Sequence, residues 1–372
     1  MPTADELLSA DEALALTRDM QRVAPDRDWS SLSRTAESFP SLGLRDRVSL
    51  VRDALLQCLP ERYDAADRLI HKALSDPEFS GWRIWPVSEA VAVLATGSPE
   101  AADLQSGLTL TAALTPRLTC EFALRIFLNS SLDATLDVAL AWTSSADEHV
   151  RRLASEGTRP LLPWAAQVPA MRLNPAAALP ILNALRRDSS ETVRRSVANH
   201  LNDISRLDPD LAVTTAEGWL ADPDDHTAQL ARHALRTLVK QGHPRALAAM
   251  GFGSSEGLTV EGPHLATAQV PIGESLTFEA TLSNDSDAPV KVAVDYVIHF
   301  QKANGTQAPK VFKLTTRTLA AGGRLALTRS HSLRPITTRR YHAGWHALEI
   351  QVNGRRCGKV RFELTQSPLE LT

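Results

Sequence analysis

Two segments, EHVRRLASEGTRP (Glu148 to Pro160) and ETVRRSVANHLNDI (Glu191 to Ile204), superpose at an offset of 43 residues, which sets Val150, Arg151 and Arg152 on Val193, Arg194 and Arg195, and Glu156 on Asn199. A period of that size belongs to two-helix HEAT-type repeats, in which each unit buries its apolar face against its neighbours. The chain is thereby constrained to stacked helices over this region. A weaker third copy, TAQLARHALRTLV (Thr227 to Val239), sets Leu235 and Leu238 34 residues after Leu201 and Ile204.

The helical texture begins earlier. Val48, Leu50, Val51, Leu55 and Leu56 recur at helical spacing before Pro60, and Tyr63 to Leu74 follows as a second helix. After WRIWP, where Trp82 and Trp85 read as packing residues, Pro86 suits a first turn. Thr115 and Pro116 are expected to open a helix holding Glu121 and Arg125, and Leu132 to Trp142 forms the next. Gly157 and Pro160 predict a stop to the helix that begins at Glu148. Beyond Met250, Gly251, Gly253, Ser254, Ser255 and Gly257 read as a linker. After it, SLTFEATLSN, VKVAVDYVIHF, KVFKLTTRTL, GRLALTRSHSL, WHALEIQVNG and KVRFEL predict about seven strands, a sandwich of immunoglobulin-like size. The expected class is therefore multidomain α + β: a HEAT-like α-helical solenoid over residues 1–252, then an immunoglobulin-like β-sandwich over 253–372.

Charge narrows the function. The net charge of -3 conceals a window, residues 150–200, with eight Arg against Glu156, Asp188 and Glu191. A basic stripe on a near-neutral chain fits a docking surface for a polyanion; solvated helix faces remain the plain alternative for any single Arg. Residues 255–372 carry 14 Lys or Arg against 10 Asp or Glu, with Arg339, Arg340, Arg355 and Arg356 in turn-like clusters, which extends the same expectation to the β-domain. Cys58, Cys120 and Cys357 have no CxxC spacing, so a zinc site, a disulfide framework and thiol catalysis have no support. No GxSxG or GxxxxGK[ST] occurs, and His342 and His346 fall in expected β structure, where a four-residue spacing does not pair them on a helix face. With no 18-residue apolar run and no basic start leading into one, a cytoplasmic protein without a membrane span is expected.

Three carboxylates interrupt the arginine stripe. Arg152 and Glu156, four apart, share a helix face, as do Arg195, Asn199 and Asp203. Stacked repeats bring such faces into one wall, and Glu121, 35 residues before Glu156, can join it. On spacing alone these acids read first as salt-bridge partners, Glu121 with Arg125 above all.

The segments CEFALRIF, DEHVRRLASEGTRPLLPW, ETVRRSVANHLNDI and ARHALRTLVK resemble the AlkC branch of the AlkC/AlkD DNA alkylation-repair glycosylases, over roughly residues 80 to 250 and more loosely over the β-domain. The resemblance implies removal of alkylated bases such as 3-methyladenine from double-stranded DNA by a monomer without cofactor or metal. It assigns catalysis to Glu121, Glu156 and Asp203, with Glu156 and Asp203 at the sugar and water and Glu121 assisting. It sets Arg152 and Trp164 beside them, and the basic wall adds Arg159, Arg194, Arg195 and Asn199 as expected DNA contacts, with Trp164 expected to stack on base or sugar. A non-catalytic helical scaffold or DNA-binding protein is the competing expectation.

Overall fold

The computed structural model describes residues 3–336 and 339–366. It is a helical region followed by a β-domain. Contacts divide it into two compact units, residues up to 212 with 219–234, and 213–218 with 235 onward.

In the first unit the helices form two rows. The Leu44–Cys58 helix packs on Ile84–Gly97, which packs on Glu121–Ser130; Glu148–Glu156 packs on Glu191–Ile204, and that on Thr227–Ala234. Behind them Tyr63–Leu74 touches Ala101–Leu114, which touches Leu132–Trp142. The three sequence copies are thus consecutive members of one row. Their equivalence extends to atoms. Arg151 Nη1 donates to the carbonyls of Ser145 and Ala146, and Arg194 Nη1 to those of Asp188 and Ser189, six and five residues back in each copy. The first arginine of each VRR therefore ties down the turn before its own helix.

Local chemistry shifts some boundaries. Thr115 and Pro116 do not open a helix: Thr115 caps the preceding one, its Oγ1 accepts from the Cys120 amide at 3.1 Å, and the next helix begins at Glu121. Gly157 does end the Glu148 helix, but with φ -68° it needs no left-handed freedom. A Cβ there would lie 2.5 Å from Leu124 Cδ2, so close packing is what excludes a side chain.

The second unit holds eight strands among the described residues: β1 (Leu258–Leu265), β2 (Gln269–Pro271), β3 (Ser275–Asn284), β4 (Val290–Gln301), β5 (Gln307–Leu319), β6 (Arg324–Ser332), β7 (Gly344–Val352) and β8 (Arg355–Thr365). They form a three-stranded sheet, β1-β3-β6, and a five-stranded sheet, β2-β8-β7-β4-β5, around one core that includes Phe278, Tyr296, Ile350 and Phe362. The sequence pattern missed β1 and the three-residue β2, since the Gly262 and Pro263 of β1 read as breakers.

Two helices expected in the solenoid, Arg236–Gln241 and Pro244–Ala249, belong to this second unit. The Gln351 amide donates to the Lys240 carbonyl at 2.9 Å, and Gly242 meets Gly354 backbone to backbone. The expected linker is held as well, because Asn353 Nδ2 donates to the Gly253 carbonyl at 2.9 Å. Both glycines of the close approach have positive φ, and a Cβ on Gly242 would lie 2.4 Å from Gly354 Cα. Gly242→Ala should cost about 1–3 kcal/mol through overpacking, with backbone strain added. Denaturant unfolding of the purified variant checks this; an unchanged midpoint would contradict it.

Candidate active site

The cleft of the first unit lies where the Glu121 helix, the Glu148 helix and the irregular segment after Gly157 meet. It encloses about 300 Å³. Glu121, Glu156, Arg159 and Thr119 line it, with Leu44, Trp82, Trp85, Phe122, Leu162 and Trp164.

Its polar side is an alternating row of charges. Arg152 Nη1 donates to Glu121 Oε2 and to Thr119 Oγ1, each at 3.1 Å, and Arg152 Nη2 lies 3.9 Å from Glu156 Oε1. Arg159 Nη1 donates to Glu156 Oε1 at 2.6 Å, while its Nε and Nη2 grip Asp203 at 2.8 and 3.2 Å. The order along the row is Glu121, Arg152, Glu156, Arg159, Asp203. Helix periodicity creates it: Arg152 and Glu156 are one turn apart on the Glu148 helix, and the stacked Glu191 helix supplies Asp203.

Several expectations change here. Arg159, expected on the DNA, is 8% exposed, and its guanidinium is engaged by two carboxylates. Burial works against its charge, but Asp203 and Glu156 hold its pKa above the ordinary arginine value. Arg152 is likewise engaged with Glu121 and Thr119, and Arg194 Nη1 with main-chain carbonyls. Arg195 is exposed and pairs with the equally exposed Glu191, a solvent-screened contact that a phosphate can displace. Asn199 accepts or shares a hydrogen bond with His233 Nε2 at 2.9 Å. Asp203 is not among the residues lining the cleft; it stands behind Arg159.

Arg125 does not pair with Glu121. It is 1% exposed, and it donates to the carbonyls of Gly157 at 3.1 Å, Arg159 at 2.7 Å and Ala166 at 3.0 Å. Burial, with Arg159 nearby, pulls its pKa down to about 10. Asn129 Nδ2 adds a bond to the Gln167 carbonyl. The Glu121 helix thereby fixes the path of the whole segment that carries Arg159 and Trp164.

Trp164 is presented rather than packed: it is 72% exposed and has φ +62°, a left-handed conformation that costs energy for a bulky side chain. Arg45 donates to its carbonyl and lies 5.7 Å from the ring centres of both Trp85 and Phe122. Trp85 stacks on Phe122 at 4.3 Å and 17°, its Nε1 held by Glu89. Arg45, Trp85 and Phe122 went unrecognised as site residues; the WxxW spacing in WRIWP was the available signal, since it sets two indoles on one side of a helix start.

Beneath Glu156, Ser196 donates to Glu156 Oε2 at 2.7 Å, and His200 Nδ1 meets the Ser155 carbonyl at 2.9 Å, so Nδ1 carries the proton. Cys120 beside Glu121 is a buried thiol, pushed up to about 12 by burial, which leaves it inert as a nucleophile. In the second unit, Arg339 lies over Phe300 at 4.7 Å and Phe312 at 5.4 Å, Arg355 donates to the Leu258 carbonyl, and Arg356 approaches Glu349. His346 is buried against Phe362, with its Nε2 on the His342 carbonyl.

A helical region with a carboxylate-bearing aromatic cleft, followed by a β-sandwich, defines a two-domain class, and comparison identifies it. Residues 259–366 match the family model described as the C-terminal immunoglobulin-like domain of the uncharacterised protein YhaZ. The chain is 35% identical over 330 residues to the uncharacterized protein YhaZ of Bacillus subtilis (strain 168), covering 88% of this chain and 89% of that one. It is similar, with a TM-score of 0.88 and 35% identity over 98% of this chain and 100% of the other, to Pseudomonas fluorescens alkylpurine DNA glycosylase AlkC, solved bound to DNA containing an abasic site analog. The chain belongs to this AlkC-type family.

Burial pushes His200 down to about 3 from its ordinary 6.5, so between pH 7 and 5 the unfolded chain gains a proton there that the folded chain refuses. Stability should therefore fall as pH is lowered, by about 2 kcal/mol from this group. In His200→Gln that part of the slope should disappear. Urea titrations of both proteins at pH 7 and 5 measure it, and parallel slopes would refute the assignment.

Proposed function

We propose that this chain is a monofunctional DNA glycosylase, acting as a monomer on cytoplasmic DNA, that hydrolyses the N-glycosidic bond of cationic alkylated purines such as 3-methyladenine and so starts base excision repair. The observation that carries the reading is the charge row, in which three carboxylates alternate with two guanidiniums and two of the carboxylates, Glu121 and Glu156, open onto an aromatic cleft. Such a row suits a positively charged guest.

An N3-alkylated adenine needs no proton to leave. Its C1′–N9 bond breaks with both electrons going to the base, which departs neutral, and positive charge passes to C1′ and the ring oxygen of the sugar. Glu121 and Glu156, which line the cleft, stabilise that charge through fixed electrostatics, and in this reading Glu156 orients the attacking water and takes its proton. Asp203 belongs to the same set, acting at the sugar directly in the bound complex or through Arg159, which it holds. The indole of Trp164 offers a face for stacking on base or sugar with a cation-π component. Arg195 and the basic turns of the β-domain, Arg340 among them, supply phosphate contacts.

Incubated with methylated duplex DNA, the protein should release 3-methyladenine. Glu156→Gln and Asp203→Asn should each lower single-turnover excision on the order of 100-fold or more. No release from the wild-type protein would favour a non-catalytic scaffold or DNA-binding protein, and release untouched by either substitution would remove these residues from the site.

The only lysines before residue 255 are Lys72 and Lys240, neither lining the cleft, so among the described residues no lysine amine stands there to form a Schiff base. Borohydride added during turnover should trap no protein–DNA adduct, and the product should be an intact abasic strand. A trapped adduct would overturn the hydrolytic assignment.

A further inference from the structure

Leu173 has the largest exposure of any large apolar side chain among the described residues, 87%, and the next is Trp164, nine residues earlier on the same segment. Isolated surface leucines are ordinary. This one is held differently. The residues around it are sunk in the core: Val168 is 1% exposed, Met171 is 0%, and Pro175 is buried. One short helix, Pro169–Leu173, carries it, and the Asn174 amide closes on the Ala170 carbonyl at 2.9 Å. Arg172, Leu173 and Asn174 project between buried Met171 and Pro175, and of the exposed residues in this frame, which include Pro169 and Ala170, Leu173 is the one large apolar side chain. Arg172 folds back on Gln167 Oε1 at 3.3 Å, and the Gln167 carbonyl is itself bound by Asn129. The tip therefore shares its fixed base with the segment that delivers Trp164.

We propose that Leu173 is a wedge that enters the duplex beside the damaged nucleotide, with Arg172 and Asn174 meeting the backbone and base edges around it. The proposal rests on the glycosylase reading. Its occupant is double-stranded DNA because the tip combines a rigid apolar point with a cation in the basic window, and apolar side chains pushed between base steps unstack and kink a duplex. A base pair weakened by alkylation opens at lower cost than an intact one, so such a wedge also favours damaged sites. Leu173 is a positioning residue: it touches neither leaving group nor water, and brings the sugar within reach of Glu121 and Glu156.

The test uses the full chain and a duplex with 2-aminopurine next to an abasic-site analogue. The wild-type protein should raise 2-aminopurine fluorescence by unstacking; Leu173→Ala should lose the rise, and Leu173→Met should restore it. On methylated duplex, Leu173→Ala should excise on the order of tenfold more slowly at saturating protein. On methylated single strands of the same sequence it should match the wild type, because there is no stack to open. Equal thermal stability of the variants excludes a folding defect, as expected for so exposed a side chain. A Leu173→Ala protein with wild-type fluorescence and duplex excision overturns the wedge. If the wild-type protein releases no base at all, the glycosylase reading fails instead, and the fluorescence measurement on the abasic analogue still decides the wedge.

Discussion

The cleft depends on one buried guanidinium. Arg159 sits between Glu156 and Asp203, carboxylates from two stacked helices, and satisfies both. Buried charges of one sign repel and lose hydration, so three acids could not gather at this place without cations threaded among them. Arg152 and Arg159 are those cations, and the row of five charges is fixed before any ligand arrives. Preorganisation of this kind carries the reorganisation cost into folding, which leaves the carboxylates ready to face positive charge.

The row also shows where reading the chain succeeds and where it stops. The 43-residue offset and the four-residue spacing of Arg152 and Glu156 follow from periodicity, the end of the helix at Gly157 follows from its stop residues, and the structure keeps all three. Spacing tells which residues share a face; it does not tell which neighbour a long side chain will choose. Arg159 was legible as part of a basic DNA-facing stripe, but not as the clamp between two acids that the structure shows. Arg125 read as a partner for Glu121 and holds three main-chain carbonyls instead. The recurring Arg151 and Arg194 signalled a basic stripe, yet each secures the turn before its helix. The aromatic side of the cleft was least legible, because Trp85 and Arg45 come from helices far upstream and only packing brings them there.

In the β-domain, alternation located the long strands and concealed the short ones. By its contacts the second unit reaches beyond the strands and takes in two helices that sequence texture assigned to the solenoid. Composition changes at Met250, whereas contacts change at Leu235; the two criteria differ because a helix is recognised by its own residues and a unit by what those residues touch.

Arg125 has a consequence for how such a site can change over time. Its acceptors are carbonyl oxygens of Gly157, Arg159 and Ala166, groups that every amino acid brings. The anchor that fixes the route of the chain between Thr158 and Val168 therefore does not depend on the identity of the side chains it grips there. A lineage could retune which damaged bases it accepts by drift along that stretch, while the anchoring arginine one helix away keeps the architecture of the cleft constant.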